Sequence, residues 1–279
     1  MEKMTIQELK RMANYIRRGI LTSVYHAGAG HPGGSLSAAE VFTWLYFREM
    51  NIDPTNPRWP DRDRFVLSKG HTAPGYYAAM AYRGYFPVEE LSTLRKLGSP
   101  LQGHPCMQHL AGVDMSSGSL GQGISAAVGM ALAGKMDKRS YRVFTLLGDG
   151  ELQEGQVWEA AMFAGHRKLD NLCVIIDNNG LQIDGKVEEV CSPYPIEEKF
   201  KAFRFHVISV LDGNDMEQVE KAFDEAKTIQ AKPVAIVLKT VKGKGISFME
   251  NQPSWHGKAP DKKEYKRAML ELDKIQEAL

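Results

Sequence analysis

The sequence predicts an α/β fold: a mainly parallel sheet covered by helices on both faces. Runs rich in β-branched and apolar residues, YRVFTLLGD, NLCVIIDNN, HVISVLDG and PVAIVLKTVKG, alternate with helical stretches such as DMEQVEKAFDEAKTI. That alternation is what strand, crossover helix and strand units produce. Strands buried on both faces read as continuous apolar runs, as these do. The stretch from Leu146 to Asp184 shows the unit most clearly: strand, acidic glycine-rich turn, amphipathic helix, second strand, asparagine-rich turn. Parallel neighbours end on the same side of the sheet, so Asp149 and Asn179 can meet there although 30 positions separate them.

The totals restrict the class of partner. A chain of 279 residues, 43% hydrophobic and 25% charged, is globular and long enough for one large or two modest domains. No composition break marks a second one, so a single domain over 1–279 is expected, with a charged amphipathic helical tail at 261–279 packed on the sheet. A net charge of +1 gives no electrostatic reason to expect nucleic acid or a membrane, and points to small partners. Cys106, Cys173 and Cys191 form neither a disulfide framework nor a thiolate zinc site, which suits the cytoplasm. MEKMTIQELKRMANYIRRG lacks a signal-peptide core, and no later segment offers 18 uninterrupted apolar residues.

The remaining elements follow in order. Thr5 and Glu8 have capping-box spacing, and Ile6, Leu9, Met12, Ile16, Ile20 and Val24 recur at helical period until Gly28 and Gly30. Ser37 and Glu40 repeat that spacing, predicting a second helix over VFTWLYFREM whose start lies near His31. DRFVLSKGHTAPGYYAAMAYRG reads as a short strand, a turn carrying His71 and a helix; Pro87 opens another, ending near Gly98, before the loop with His104. His31, His71 and His104 each follow a glycine in a loop. One such histidine is explained by a local backbone bond, whereas three weigh towards a shared site. In GSLGQGISAAVG, Gly121 and Gly123 either let a phosphate reach free N–H groups at a helix start or permit close helix packing. No complete dinucleotide fingerprint is present.

At the central stretch, a hard divalent cation would find a carboxylate in Asp149, an amide oxygen in Asn179 and a backbone carbonyl at Gly180–Leu181. Gly148 and Gly150 let the chain turn sharply beside a ligand, and the helix after Glu151 points its positive end at an anion. Taken separately, GDGE and DNNG are also ordinary turn sequences. Taken together, GDG followed after a helix and a strand by NN resembles the thiamine diphosphate signature. The stretches GHPGGSLS, LSKGH, GHP, GSLGQGISAAVG, LGDGELQEG, DNNGLQIDG and SWHG then resemble, in order and over nearly the whole chain, the diphosphate-binding half of the transketolase family.

That resemblance implies a three-layer α/β/α thiamine diphosphate-binding fold. It implies magnesium, or calcium or manganese in its place, held by Asp149, Asn179 and the carbonyl of Leu181. The cofactor-binding set it implies is His71, Gly118, Ser119, Leu120, Gly148, Asp149, Gly150, Glu154, Asn179 and His256. Ser119 stands where a proline is common in the family. Glu154 matches a glutamate near the contact between the halves of the active-site assembly, although a solvated first-turn carboxylate explains it equally. His31, His104 and His256 fall where family histidines face the sugars. The implied activity is transfer of a two-carbon ketol unit from a ketose phosphate to an aldose phosphate through a carbanion on the cofactor, with the histidines moving protons.

A full-length family member continues into a pyrimidine-side domain that carries the activating glutamate, for which this chain offers no candidate. The expectation is therefore a split transketolase in which this chain forms the amino-terminal half and a separate carboxy-terminal subunit is its partner, in an α2β2 assembly. Competing readings are a split deoxyxylulose-phosphate synthase-like enzyme and a non-catalytic thiamine diphosphate-binding protein.

Overall fold

The structure, a computed structural model, describes residues 4–279. The first three residues of the charged amino-terminal stretch lie outside them. Helix α1 (Ile6–Ala27) begins at the expected capping box: the Thr5 hydroxyl accepts from the Glu8 N–H, and the Glu8 carboxylate accepts from the Thr5 N–H at 2.7 Å. It ends at Gly28, whose φ of 62° is the left-handed conformation glycine favours.

The expected second helix is built differently. A further short helix, α2 (Pro32–Ser37), occupies the loop before it, and its span is taken by α3 (Ala39–Trp44) and a wider-wound turn over Leu45–Glu49. Ser37 and Glu40 form no capping box. The Ser37 hydroxyl donates to the Gly34 carbonyl and to Asp177 Oδ2 at 2.6 Å, and Glu40 takes both oxygens to the Arg17 guanidinium at 2.7 and 2.9 Å. Both side chains are buried, and a buried carboxylate is better satisfied by a guanidinium than by one backbone amide.

Strand β1 (Arg64–Leu67) leads into α4 (Ala73–Arg83). The helix opened by Pro87 is shorter than expected, a 3-10 segment over Val88–Thr93. Arg95 takes a φ of 62° and its N–H donates to the Leu101 carbonyl, which turns the chain back before Gly98. Then come α5 (Gln122–Met136), β2 (Val143–Gly148), α6 (Gly155–His166) and β3 (Leu172–Asn178). A small antiparallel ribbon, β4 (Leu181–Gln182) with β5 (Gly185–Lys186), precedes α7 (Val187–Cys191) and α8 (Ile196–Ala202). The chain closes with β6 (His206–Val210), α9 (Met216–Thr228), β7 (Val234–Lys239) and α10 (Lys262–Ala278).

The sheet runs β1-β2-β3-β7-β6 with every pair parallel. Its pleat divides the core. Phe144, Leu146, Ile175 and Ile236 pack with Leu9 and Ile16 of α1, Phe42 of α3, Tyr76 of α4 and Phe223 of α9. Val143, Leu147, Val174 and Val237 pack on the other side with Ile124 of α5, Val157 of α6 and Phe200 of α8. The result is the expected three-layer α/β/α fold. The tail helix α10 packs on α1 rather than on the sheet, because α1, α3, α4 and α9 already cover that face. Among the described residues, no helix is long and apolar enough to cross a membrane.

Register brings the expected residues together. Gly148 lies opposite Asp177 in the parallel pair, so the residues just beyond, Asp149 and Asn179, leave adjacent strands at the same carboxyl edge.

Candidate functional site

The carboxyl ends of β1, β2, β3 and β7 border a cavity of about 380 Å³. At its floor Asp149 is only 2% exposed. Its carboxylate accepts from the N–H of Gly150 at 2.8 Å and from the N–H of Gly180. The Asn179 amide nitrogen donates to Asp177 Oδ2 at 3.0 Å, leaving its oxygen to accept from the Leu181 N–H at 3.1 Å. The Leu181 carbonyl accepts from Lys242 Nζ at 2.9 Å. Asp149, Asn179 and Leu181, the three expected metal ligands, therefore share one wall of the cavity.

The wall carries two buried carboxylates, Asp149 and Asp177, and two buried ammonium groups, Lys69 and Lys242, so a cation there would be held by its oxygen donors rather than by an excess of negative charge. Lys69 pairs with Asp177, and Asp149 is left without an ion pair among the described residues. Burial, and then the nearby Asp177 carboxylate, pushes the Asp149 carboxyl up to about 6. One anionic oxygen beside two neutral ones, each with a lone pair to spare, is a donor set for a hard divalent ion. Among the described residues no three His, Cys, Asp or Glu side chains converge on a metal position, which leaves an all-oxygen set of this mixed kind as the candidate.

Facing this wall, three imidazoles cluster. The His71 and His256 rings stack at 5.1 Å, and His31 stands edge-on to both, at 5.2 and 5.5 Å. Burial first, then neighbouring positive charges, holds His31 down to about 4 and His256 to about 3, and keeps His71 well below its ordinary value. All three are neutral near pH 7, each able to donate from one nitrogen and accept at the other. His31 Nδ1 is buried with no hydrogen-bond partner among the described residues.

Gly118, Leu120, Gly148, Gly150 and Glu154 also line the cavity. Glu154 is exposed and caps no backbone group at the start of α6. His104 is exposed at the rim, where its ring packs on Gly118: a Cβ there would lie 3.2 Å from the imidazole. Neither His104 nor Ser119 belongs to the cavity lining, and the Ser119 side chain is exposed.

The structure also settles the two readings of Gly121 and Gly123 in favour of packing. A Cβ on Gly123 would stand 2.5 Å from the Ser68 Cα, and the Gly121 N–H donates to Glu151 Oε1 at 2.9 Å. That amide is not free for a phosphate.

Sequence reasoning passed over four buried polar groups. Glu151 accepts from the Ser68 hydroxyl and from the N–H groups of Gly121 and Gly148, joining three loops around the cavity. Asp177 gathers Ser37, Lys69, Asn179 and Thr240. Lys69 and Lys242 turn inward, each 2% exposed. Their only sequence signal is a position beside glycine just after a strand, which does not distinguish a buried ammonium from one that reaches solvent.

Comparisons with known proteins agree with this geometry. Residues 8–273 match the family described as transketolase, thiamine diphosphate binding domain. A 6-deoxy-6-sulfo-D-fructose transketolase subunit of a Clostridium species is 50% identical over 267 residues, 96% of this chain and 97% of that one. An apulose-4-phosphate transketolase subunit of Phocaeicola vulgatus is 40% identical, covering 99% and 98%. Mouse transketolase is 45% identical over 92% of this chain, which spans 41% of the mouse protein. The crystal structure of Campylobacter jejuni transketolase superposes with a TM-score of 0.91 at 34% identity, over 97% of this chain and 43% of that one. With the fold, the carboxyl-edge cavity and these matches in agreement, the chain belongs to the thiamine diphosphate binding domain family of transketolases.

Proposed function

We propose that this chain is the diphosphate-binding subunit of a two-chain transketolase, which moves a two-carbon ketol unit from a ketose phosphate to an aldose phosphate. The observation that carries this reading is the convergence around one cavity of a buried carboxylate with no ion pair among the described residues, two neutral oxygens and three clustered imidazoles. Asp149, the Asn179 amide oxygen and the Leu181 carbonyl would hold magnesium, calcium or manganese. Lys242, a buried ammonium without a carboxylate partner among the described residues, would face the diphosphate; His71, Gly118, Leu120, Gly148 and Gly150 would line the rest of the cofactor. When bound, thiamine diphosphate supplies the nucleophilic carbon and the electron sink that cleaving and forming the carbon–carbon bond require.

The chain's own part is to orient the sugar and handle protons. His31 and His256, neutral near pH 7, would exchange protons and hydrogen bonds with the hydroxyl and carbonyl oxygens at the reacting carbons. His104, at the rim, would hold hydroxyls further along the sugar. A partner chain would supply the pyrimidine-side domain with its activating glutamate and most phosphate contacts, in an assembly of two copies of each. Support for a partner comes from two relatives matched over 97% and 98% of their length and named as subunits, whereas the chain spans 41% of the mouse transketolase. Those relatives' names make an anionic ketose, phosphorylated or sulfonated, the first substrate class to test.

Co-expression with the partner, followed by ketol-transfer assays on such sugars, tests the reading. The chain alone with magnesium and thiamine diphosphate should have little activity, and the partner should restore it; full activity without a partner would overturn the two-chain claim. Asp149→Ala should abolish metal-dependent cofactor binding.

A further inference from the structure

We propose that Lys242 is a positioning residue that fixes His256 as the tautomer protonated on Nε2, so that His256 meets the substrate as a hydrogen-bond donor. The inference rests on the reading above only in placing His256 at the substrate. Lys242 follows β7 by three residues and is buried. Its Nζ lies 2.9 Å from the Leu181 carbonyl oxygen and 2.9 Å from His256 Nδ1. An ammonium has protons to give and no lone pair, so the contact at Nδ1 requires that nitrogen to carry the lone pair. In a neutral imidazole the proton then resides on Nε2.

The stem of Lys242 is held in place. A Cβ on Gly33 would lie 3.2 Å from its Cγ and 3.3 Å from its Cε, and its carbonyl accepts from the Asn251 N–H at 2.9 Å. His256 is held as well, its backbone N–H donating to the Pro253 carbonyl at 2.8 Å and its ring stacked on His71. Burial and the adjacent Lys242 charge keep the ring neutral, in agreement with the geometry. With Nδ1 turned to Lys242, His256 offers Nε2–H to a substrate oxygen.

The test is nitrogen NMR of the full chain labelled with ¹⁵N-histidine, since long-range proton–nitrogen spectra separate a protonated ring nitrogen from one bearing a lone pair. The His256 signals are assigned by their loss in His256→Gln. The unmodified chain should show His256 protonated on Nε2 alone. Lys242→Met should lose that pattern, giving a mixture or the Nδ1–H form, and Lys242→Arg, which keeps a donor, should retain it. The spectra of the other histidines report whether each variant is folded. A His256 protonated on Nδ1 in the unmodified chain, or an unchanged pattern in folded Lys242→Met, would overturn the proposal. If Lys242→Met does not fold, the unmodified spectrum alone decides. Failure of the transketolase reading appears separately, as an unmodified two-chain assembly that transfers no ketol unit whatever the tautomer.

Discussion

Replacing Asp177 with asparagine should destabilise the protein severely, because it strands a buried charge. Asp177 is 1% exposed and Lys69 2%, and the two form an ion pair between the ends of β3 and β1. The aspartate also accepts from Ser37 Oγ at 2.6 Å, from Asn179 Nδ2 at 3.0 Å and from the Thr240 hydroxyl. These contacts hold its carboxyl below the ordinary range despite burial. Asparagine removes the negative charge and leaves the Lys69 ammonium with the Gly34 carbonyl at 3.2 Å. Removing one partner of a buried pair costs about 3–5 kcal/mol. An unfolding entropy of about 2.1 cal/mol/K per residue over 279 residues converts this to a melting temperature lower by roughly 5–9 °C. Lys69→Met should cost less, since the aspartate keeps three donors. Combined, the two changes should be less harmful than their sum by about 1–3 kcal/mol, the usual coupling of contacting groups. Urea unfolding followed by circular dichroism measures all three variants. An Asp177→Asn variant within about 1 kcal/mol of the unmodified protein, with an additive double variant, would refute the reasoning, since that is the scale of an exposed pair.

Other consequences can be checked by thermal unfolding. Gly123→Ala should lose about 1–3 kcal/mol through overpacking against the Ser68 backbone, whereas Gly129→Ala, with nothing within 4 Å, should gain up to about 1 kcal/mol of helix propensity; equal effects would contradict the packing assigned to Gly123. Thiamine diphosphate with magnesium at about 100 times Kd should stabilise the protein by about 2.7 kcal/mol, and Asp149→Ala should show no such shift; an equal shift in that variant would remove Asp149 from the metal site. Unfolded histidine titrates near about 6.5, whereas folded His31 and His256 titrate at about 4 and about 3. As pH falls from about 6.5 towards about 4 the unfolded chain binds protons first, so these groups withdraw stability across that window and leave it untouched above it. Asp149, pushed up to about 6, works in the opposite sense, so the comparison must be between variants: His31→Gln should lose less of its melting temperature on acidification than the unmodified chain, and equal losses would contradict a buried neutral imidazole.

Much of the site was legible in the chain because its residues sit where local rules apply. Asp149 and Asn179 each end an apolar run, and parallel pairing places such ends together whatever surrounds them. Glycine before His31, His71 and His104 marked loops, and the first two do reach the cavity. His104 stays at the rim, a distinction set by how its loop packs on Gly118.

Where local rules failed, burial was the cause. Ser37 and Glu40 have the spacing of a capping box, yet once both lie inside the fold Asp177 and Arg17 are stronger partners than backbone amides. Gly121 and Gly123 admitted two readings until the Ser68 backbone and the Glu151 carboxylate were found against them. The sequence by itself determined the layered α/β order, the strand ends that meet and the residues bearing the cofactor signature, because period and turn chemistry are properties of neighbours along the chain. Only the tertiary structure decided that Lys69, Glu151, Asp177 and Lys242 turn inward and lock the loops around those strand ends. Whether a charged side chain is buried depends on which partners the fold brings to it from distant positions, and no spacing along the chain records that.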